Sequence, residues 1–379
     1  MNTRLLILDD DIHIGEAMTM ALEREGRTIF LCRDVETAQL VVEQTPLSHV
    51  VTDVKLTGLF GFEGLDFIDH VRRYAPAATV ILMTGSPSPE LEVEARSRGA
   101  VAFLTKPFDL VELESLLGLP DPGSDEEDQH AHVVRIPTIG EIVVSPHLSS
   151  HFQPIVRLDD PSAAPYGFEA LARFQSGCFL DRPDLLFEYA ARKNQVADLE
   201  IACIERAIQH GRELDPNAMR FINLHPAVFD QPQRLVEAIL AAVRGSLPCN
   251  RLVLEITEQR ALGPREIVLE AVYALQAAGV RFAFDDVGMA YSHLKLIEDI
   301  RPAFLKISQH FGTNFENDET RQKIVRNILS LARDFDSQLI LEGIESAATA
   351  DRARALGIPF GQGYHFAYPA EARSFGVPF

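Results

Sequence analysis

The sequence predicts an α/β protein of two domains. A doubly wound parallel sheet covers residues 1–119, an acidic linker 120–140, and a (β/α)8 TIM-like barrel 141–379. Three observations carry this. Short apolar runs alternate with amphipathic stretches along most of the chain, which in a globular protein implies parallel strands joined by helices. The alternation breaks once, at residues 120–130, where Pro, Gly and a run of acids show no apolar period. Beyond the break, about eight apolar runs fall in roughly 240 residues, which fits an eight-stranded barrel.

In the first domain, Leu5–Leu8, Val50–Thr52, Val80–Met83 and Ala102–Leu104 read as buried strands, with Gly15–Glu25 and Leu65–Arg73 as amphipathic helices. In the second, the strands are Phe152–Leu158, Gly167–Arg173, Phe221–Leu224, Leu252–Ile256, Phe282–Phe284, Phe304–Ile307, Leu339–Leu341 and Gly363–Phe366. Helical patterns between them cover Asp184–Gly211, Arg234–Arg244, Pro264–Ala278, Glu319–Phe335 and Ala347–Leu356.

Bulk properties exclude several classes. A net charge of −20 argues against a nucleic-acid polymer as partner, because Lys and Arg contacts to phosphate drive such binding. It leaves room for a small anionic ligand held through divalent metals. The opening apolar stretch is too short for a signal peptide, and nothing approaches a membrane span. No two of Cys32, Cys178, Cys203 and Cys249 form a C-x-x-C pair. They read as thiols in a cytoplasmic protein, not as disulfide staples.

In the first domain Asp9 and Asp10 follow the first strand, Asp53 the third, Thr84 ends the fourth, and Lys106 follows the fifth. The C-terminal strand ends of a doubly wound sheet share one edge, where ligands bind. Clustered carboxylates repel, so three acids there call for a divalent cation such as Mg2+. A hydroxyl and an ammonium on the same edge suit the oxygens of a phosphorylated aspartate. Any one of these acids alone reads more readily as a helix cap, but five residues of the required types at five corresponding positions do not.

These residues, with Asp53 in Val-Thr-Asp-Val and Lys106-Pro107-Phe108, resemble the response-regulator receiver family over about residues 3–118. The resemblance implies that Asp53 accepts a phosphoryl group from a sensor histidine kinase. Asp9, Asp10 and Asp53 would hold one Mg2+ or Mn2+, and Phe103 matches the switch aromatic. After Asp53 the family has an x-x-Met-Pro turn, whereas here Lys55-Leu56-Thr57 leads into a longer glycine-rich loop to Gly64.

In the second domain Glu169, Asn223, Glu255, Lys306 and Glu342 interrupt or end apolar strands, and Asp285-Asp286 end another. A charge inside a barrel costs several kcal/mol unless it is paired or bound to metal. One such residue reads as a strand face turned to solvent, but seven over six strands do not. Barrel enzymes draw catalytic groups from several strand ends. Carboxylates with one amide oxygen and no Cys select Mg2+ or Mn2+ over Zn2+. An Asp-Asp pair suits two metals about 3.5–4 Å apart, the arrangement that hydrolyses phosphodiesters.

Glu169-Ala170-Leu171-Ala172-Arg173 resembles the signature of EAL-type cyclic di-GMP phosphodiesterases. The same family order continues through Gln153 in Phe-Gln-Pro-Ile-Val, Asn223 in Ile-Asn-Leu, and Glu255 and Glu258 in Leu-Glu-Ile-Thr-Glu. It ends with Lys306, Glu342 in Glu-Gly-Ile-Glu, and Gln362 in Gln-Gly-Tyr. The resemblance implies opening of cyclic di-GMP to linear pGpG. Glu169, Asn223, Glu255, Asp285 and Asp286 would bind two metals. Lys306 and Glu342, with Glu169, would serve catalysis by positioning or deprotonating the water. Arg173, Gln153 and Gln362 would bind substrate, and Glu258 would steady the loop after Asp286. A homodimer is implied as well. The loop departs from the family pattern at Val287, Met289, Ala290 and His293, and Ser308 stands in place of an aspartate. These departures motivate an alternative, a catalytically weak or inactive cyclic di-GMP receptor or protein-interaction module. His147 and His151, spaced i, i+4, lie at a strand entry and read as surface residues. His293 and His365 lie nearer the predicted site.

Overall fold

The computed structural model describes residues 3–56, 63–118, 132–160, 164–257, 265–287 and 294–376. The chain divides into two compact units, one running to Thr138 and one beginning at Ile139.

The first unit runs β1 (Thr3–Leu8), α1 (Ile12–Leu22), β2 (Arg27–Cys32), α2 (Val35–Gln44), β3 (His49–Asp53), α3 (Glu63–Tyr74), β4 (Thr79–Thr84), α4 (Pro89–Arg98), β5 (Ala102–Thr105), α5 (Leu110–Leu117) and β6 (His132–Arg135). All strand pairs are parallel, in the order β5-β4-β3-β1-β2-β6. Asp11, Asp34, Ser88 and Asp109 cap α1, α2, α4 and α5 through their side chains. Such caps satisfy helix N–H groups that have no intrahelical acceptor. The sheet takes in part of the stretch assigned to the linker, because Val133 and Val134 pair with the β2 edge. Four residues are too few to show a strand period in sequence.

The second unit runs α6 (Ile139–Val144), β7 (Leu148–Arg157), β8 (Pro165–Phe174), α7 (Pro183–Arg192), α8 (Val196–His210), β9 (Met219–Leu224), α9 (Pro232–Val243), β10 (Leu252–Thr257), α10 (Arg265–Ala277), β11 (Arg281–Val287), α11 (Leu294–Ile300), β12 (Phe304–Ile307), α12 (Gln309–Gly312), α13 (Glu319–Asp334), β13 (Gln338–Leu341), α14 (Ala347–Ala355) and β14 (Phe360–Gln362). β7–β14 close into a barrel. Seven strands are parallel, but β7 runs antiparallel to both β8 and β14. The chain between β7 and β8 is too short for the crossover that a parallel pair needs.

Two predicted elements are corrected. The helix at Asp184–Gly211 is two helices, because Asn194 adopts a left-handed φ of 54° between α7 and α8, which Asn tolerates. The strand predicted at Gly363–Phe366 lies earlier, at β14. The alternation of Tyr364 and Phe366 imitates a strand, but the chain there folds over Ile344, whose N–H donates to Gln362 O and whose O accepts from His365 N, both at 3.0 Å.

Alternation along each strand sends one face outward to the helices and one into the barrel. Ile155, Phe221, Val253, Ala283, Phe304, Ile340 and Phe360 form a buried plug inside. Phe304 sits in it, edge-on to Phe221 at 5.1 Å between ring centroids. Phe304→Ala is expected to destabilise the barrel by about 3–5 kcal/mol, read by urea unfolding, because it deletes a buried ring and leaves a cavity among the packed rings of Phe221, Tyr166 and Phe360.

Candidate functional site

One register rule builds the barrel site. On seven strands the residue two places past the plug, toward the same rim, is polar: Gln153, Asn223, Glu255, Asp285, Lys306, Glu342 and Gln362, with Glu169 two past Gly167 on β8. Because β7 is reversed, Gln153 precedes its plug residue Ile155, and it lies opposite Glu169. A polar ring therefore rests on an apolar floor.

Lys306 is the centre of the ring and is fully buried. Its Nζ lies 2.8 Å from Glu342, 3.0 Å from Glu255, 3.2 Å from Glu169 and 3.7 Å from Asp285. Burial alone would strip its proton, but Asp285, Glu169, Glu255 and Glu342 outweigh burial and hold its pKa well above the usual value. It is therefore an ammonium that donates to the carboxylates around it, Glu255 Oε2 among them at 3.0 Å.

The carboxylates divide. Burial raises the Glu169 pKa, but Lys306 and the amides of Gln362 and Asn223 overturn this, so its net shift is downward. Asn223 Nδ2 donates to Glu169 Oε1 at 3.0 Å, and Gln362 Nε2 donates to Glu169 Oε2 at 2.6 Å and to Gln153 Oε1 at 3.0 Å. Burial, with repulsion from the neighbouring acids, pushes Glu255 well up, raises Asp285, and lifts Glu342 to about 8.

Asp285 and Asp286 are adjacent, and a regular strand would point them to opposite faces. Here the β11–β12 register shifts between Phe284 and Val287, and Asp286 takes a left-handed φ of 57° with its N–H donating to Asp285 Oδ1 at 2.9 Å. The irregularity re-aims both side chains, as bulges do. Asp285, Asp286 and Glu342 then place carboxylate oxygens within 4.8 Å of one another. Glu342, read from sequence as a catalytic group, thus also stands among candidate ligands.

The donors fit hard divalent cations. Four carboxylates surround one ammonium, and Asp286 adds a fifth beside Asp285 and Glu342. Glu255 Oε1, buried beside Lys306, takes no hydrogen bond. A buried carboxylate oxygen left this way costs free energy that a cation would recover.

Arg173 is half-buried, four residues past Glu169 on the same strand face, with its charge opposed by burial and favoured by Tyr364 and Glu169. His147 is exposed as expected. His151 is not a surface residue: it is half-buried, shares the inward face with Gln153, and has its pKa lowered by burial and then by Arg173. Alternation along β7 puts it on the face of Gln153 and Ile155. His365 is exposed, and Ser308 is buried just past Lys306. Glu258, Met289, Ala290 and His293 lie outside the described residues.

In the first unit, Lys106 Nζ lies 2.6 Å from both Asp9 Oδ2 and Asp53 Oδ2. Asp9, Asp10 and Asp53 bring carboxylate oxygens within 4.8 Å of one another. The helix-cap explanation goes to Asp11, whose carboxylate accepts from His13 N at 2.9 Å. Burial raises the Asp9 pKa against the pull of Lys106. Burial opposes the charge of Lys106, but Asp53 and Asp9 prevail and raise its pKa. Thr84 is buried, and its Oγ1 accepts from Ser86 N at 3.1 Å. Gly64 allows α3 to start against this site, since a Cβ there would lie 1.9 Å from Asp53 O. Phe103 is half-buried on β5. Three acids around one ammonium again suit a divalent cation.

The EAL domain family matches residues 141–369, and the response regulator receiver domain matches residues 5–117. The cyclic di-GMP phosphodiesterase RocR of Pseudomonas aeruginosa is 25% identical over 390 aligned residues, spanning 98% of this chain and 97% of that protein. An uncharacterized Synechocystis protein, sll1895, is 30% identical over 58% of this chain and 32% of its own length. Among solved structures, the PaMucR phosphodiesterase in complex with c-di-GMP superposes with a TM-score of 0.56 at 25% identity, covering 62% of this chain and 97% of that one. A standalone EAL protein from Vibrio cholerae O395, c-di-GMP bound, gives 0.51 at 26% identity over 59% and 93%. Among the described residues no helix is long and apolar enough to cross a membrane. With its barrel matched almost throughout and its parallel-sheet unit matched separately, this chain belongs to the EAL domain family and carries an N-terminal response regulator receiver domain.

Proposed function

We propose that the chain is a two-component response regulator whose barrel hydrolyses c-di-GMP to linear pGpG under control of phosphorylation at Asp53. The observation that carries this is the cluster of four carboxylates around the ammonium of Lys306 at the barrel rim, with Asp286 adjoining Asp285 and Glu342. Glu169, Asn223, Glu255, Asp285 and Asp286, with Glu342 beside them, would hold two Mg2+ or Mn2+ ions. When bound, such ions acidify water and neutralise phosphate charge. The chain's own groups supply the rest. Lys306 donates hydrogen bonds that orient the attacking water, and Glu342 takes its proton. Arg173 grips a phosphate through its planar fork, and Gln362, tied to Gln153, holds Glu169 in place, with both amides serving the substrate. The water oxygen bonds to phosphorus, the 3′-oxygen leaves, and a 5′-phosphate remains. A sensor histidine kinase is the expected phosphodonor, the expected assembly is a homodimer, and the expected compartment is the cytoplasm.

The test is c-di-GMP hydrolysis by the purified full chain in Mg2+ and in Mn2+, with and without beryllofluoride. Glu169→Ala is expected to lower turnover by at least about 100-fold, since removing even a group that only supports a ligand costs 10–100-fold. Equal turnover in the variant would remove Glu169 from the site. Nucleotide binding without turnover under any condition would favour the receptor reading.

A further inference from the structure

We propose that Tyr364 and Tyr368 form a stacking platform at the barrel mouth that receives a guanine of the substrate. The inference rests on the c-di-GMP reading and deepens it. The two rings stack on each other, with centroids 4.4 Å apart and planes 25° from parallel, yet remain 52% and 68% exposed. A stacked aromatic pair left open to water has one free π-face for a planar partner.

Its position is fixed to the carboxylate ring by a continuous set of hydrogen bonds. Glu169 accepts from Gln362, which also donates to Gln153, and Gln153 Nε2 donates to Ala367 O at 3.2 Å, between the two tyrosines. Ala370 and Phe152 then exchange two backbone hydrogen bonds, at 2.7 and 3.0 Å, pinning the end of the segment to β7. At its start, Gly363 passes so close to Ile344 that a Cβ would lie 2.1 Å from Ile344 O. The tyrosines therefore sit on a strap held at both ends and in the middle, and the middle tie is a residue of the ring. Arg173, four residues past Glu169 on the same face of β8, has its charge favoured by both Tyr364 and Glu169. A cyclic dinucleotide with one phosphate at the ring and Arg173 carries a purine on the adjoining sugar, and this is the neighbouring aromatic surface. Among the described residues of the barrel unit, the other exposed tyrosine, Tyr273, lies on α10.

The test compares the full-length wild type with Tyr368→Ala and Tyr368→Phe on c-di-GMP and on bis(p-nitrophenyl) phosphate, a phosphodiester without a purine. Tyr368→Ala is expected to raise KM for c-di-GMP about tenfold, in line with the usual loss of one base stack, with the loss falling on KM and not on kcat. The penalty on the purine-free ester is expected to be much smaller, and Tyr368→Phe to restore the wild-type KM. A second readout needs no turnover. The chain has seven tyrosines and no tryptophan, so tyrosine emission is directly visible, and c-di-GMP binding is expected to quench it less in Tyr368→Ala. Equal KM and equal quenching in wild type and Tyr368→Ala would overturn the platform and leave the phosphodiesterase reading standing. A wild type that cleaves the purine-free ester but neither cleaves nor binds c-di-GMP would overturn both.

Discussion

Lys306→Met is expected to abolish c-di-GMP hydrolysis and, without divalent cations, to destabilise the barrel by about 3–5 kcal/mol, the range for removing one partner from a buried ion pair. The size follows from the surroundings: four carboxylates lie within 4 Å of this one ammonium, and the side chain is fully buried. Methionine keeps the length and removes the charge. Urea unfolding in chelator, then in Mg2+ or Mn2+, checks it. Cations are expected to return much of the lost stability, because their charge replaces that of the ammonium, but not the activity, because the water loses its donor. An unchanged unfolding midpoint in chelator would mean that the carboxylates are not buried together. Wild type has a matching pH dependence. The folded pKa of Glu342 is about 8, above its unfolded value, so its contribution is fully present at pH below the carboxylate range and is lost as pH rises through about 8. Glu255 and Asp285 shift in the same direction, whereas Glu169 shifts the other way and contributes above the carboxylate range. Chelated wild type is therefore expected to lose stability as pH rises from about 5 toward 8, and divalent cations to flatten that slope.

The barrel ring was legible in the sequence because the physics that makes it functional also makes it conspicuous. Asn223, Glu255 and Lys306 interrupt apolar strands, and a polar residue there is expensive enough to need a reason. The order of the strands was legible because β/α alternation leaves few topologies. Other features are set by contacts between distant segments. The reversal of β7 depends on its pairing with β14 as well as β8, and it decides that Gln153 precedes its plug residue on the strand. The bulge at Asp285-Asp286 depends on register against β12, which the dipeptide does not encode. β6 is four residues long and exists because the edge of β2 is there to pair with. Tyr364 and Phe366 show the converse error, a strand-like period without a strand partner.

Asp53→Asn is expected to remove phosphoryl uptake from a small-molecule phosphodonor altogether, with mass spectrometry showing one phosphoryl group on the wild type and none on the variant. Lys106 holds the acceptor carboxylate in place. Its ammonium bridges Asp9 and Asp53 at 2.6 Å each, and Asp53 Oδ1 accepts from Lys55 N at 3.1 Å, so the carboxylate is aimed before any donor arrives. The side-chain amide of the variant would keep the shape but lose the nucleophilic oxygen and one of the three acids that gather a cation. On the wild type, a phosphoryl group on Asp53 would add charge beside Lys106 and offer acceptor oxygens to Thr84, whose hydroxyl now accepts from Ser86 N. Turning that hydroxyl toward the phosphoryl group would give up the Ser86 contact, so the loop after β4 is where the change first registers. If phosphorylation controls the barrel, beryllofluoride alters c-di-GMP turnover in the wild type and leaves the Asp53→Asn variant unmoved. A variant that still responds would locate the control away from Asp53. A variant that still takes up a phosphoryl group would assign the acceptor role to another carboxylate of the cluster, and Asp10, half-buried beside Asp9, is the next to replace.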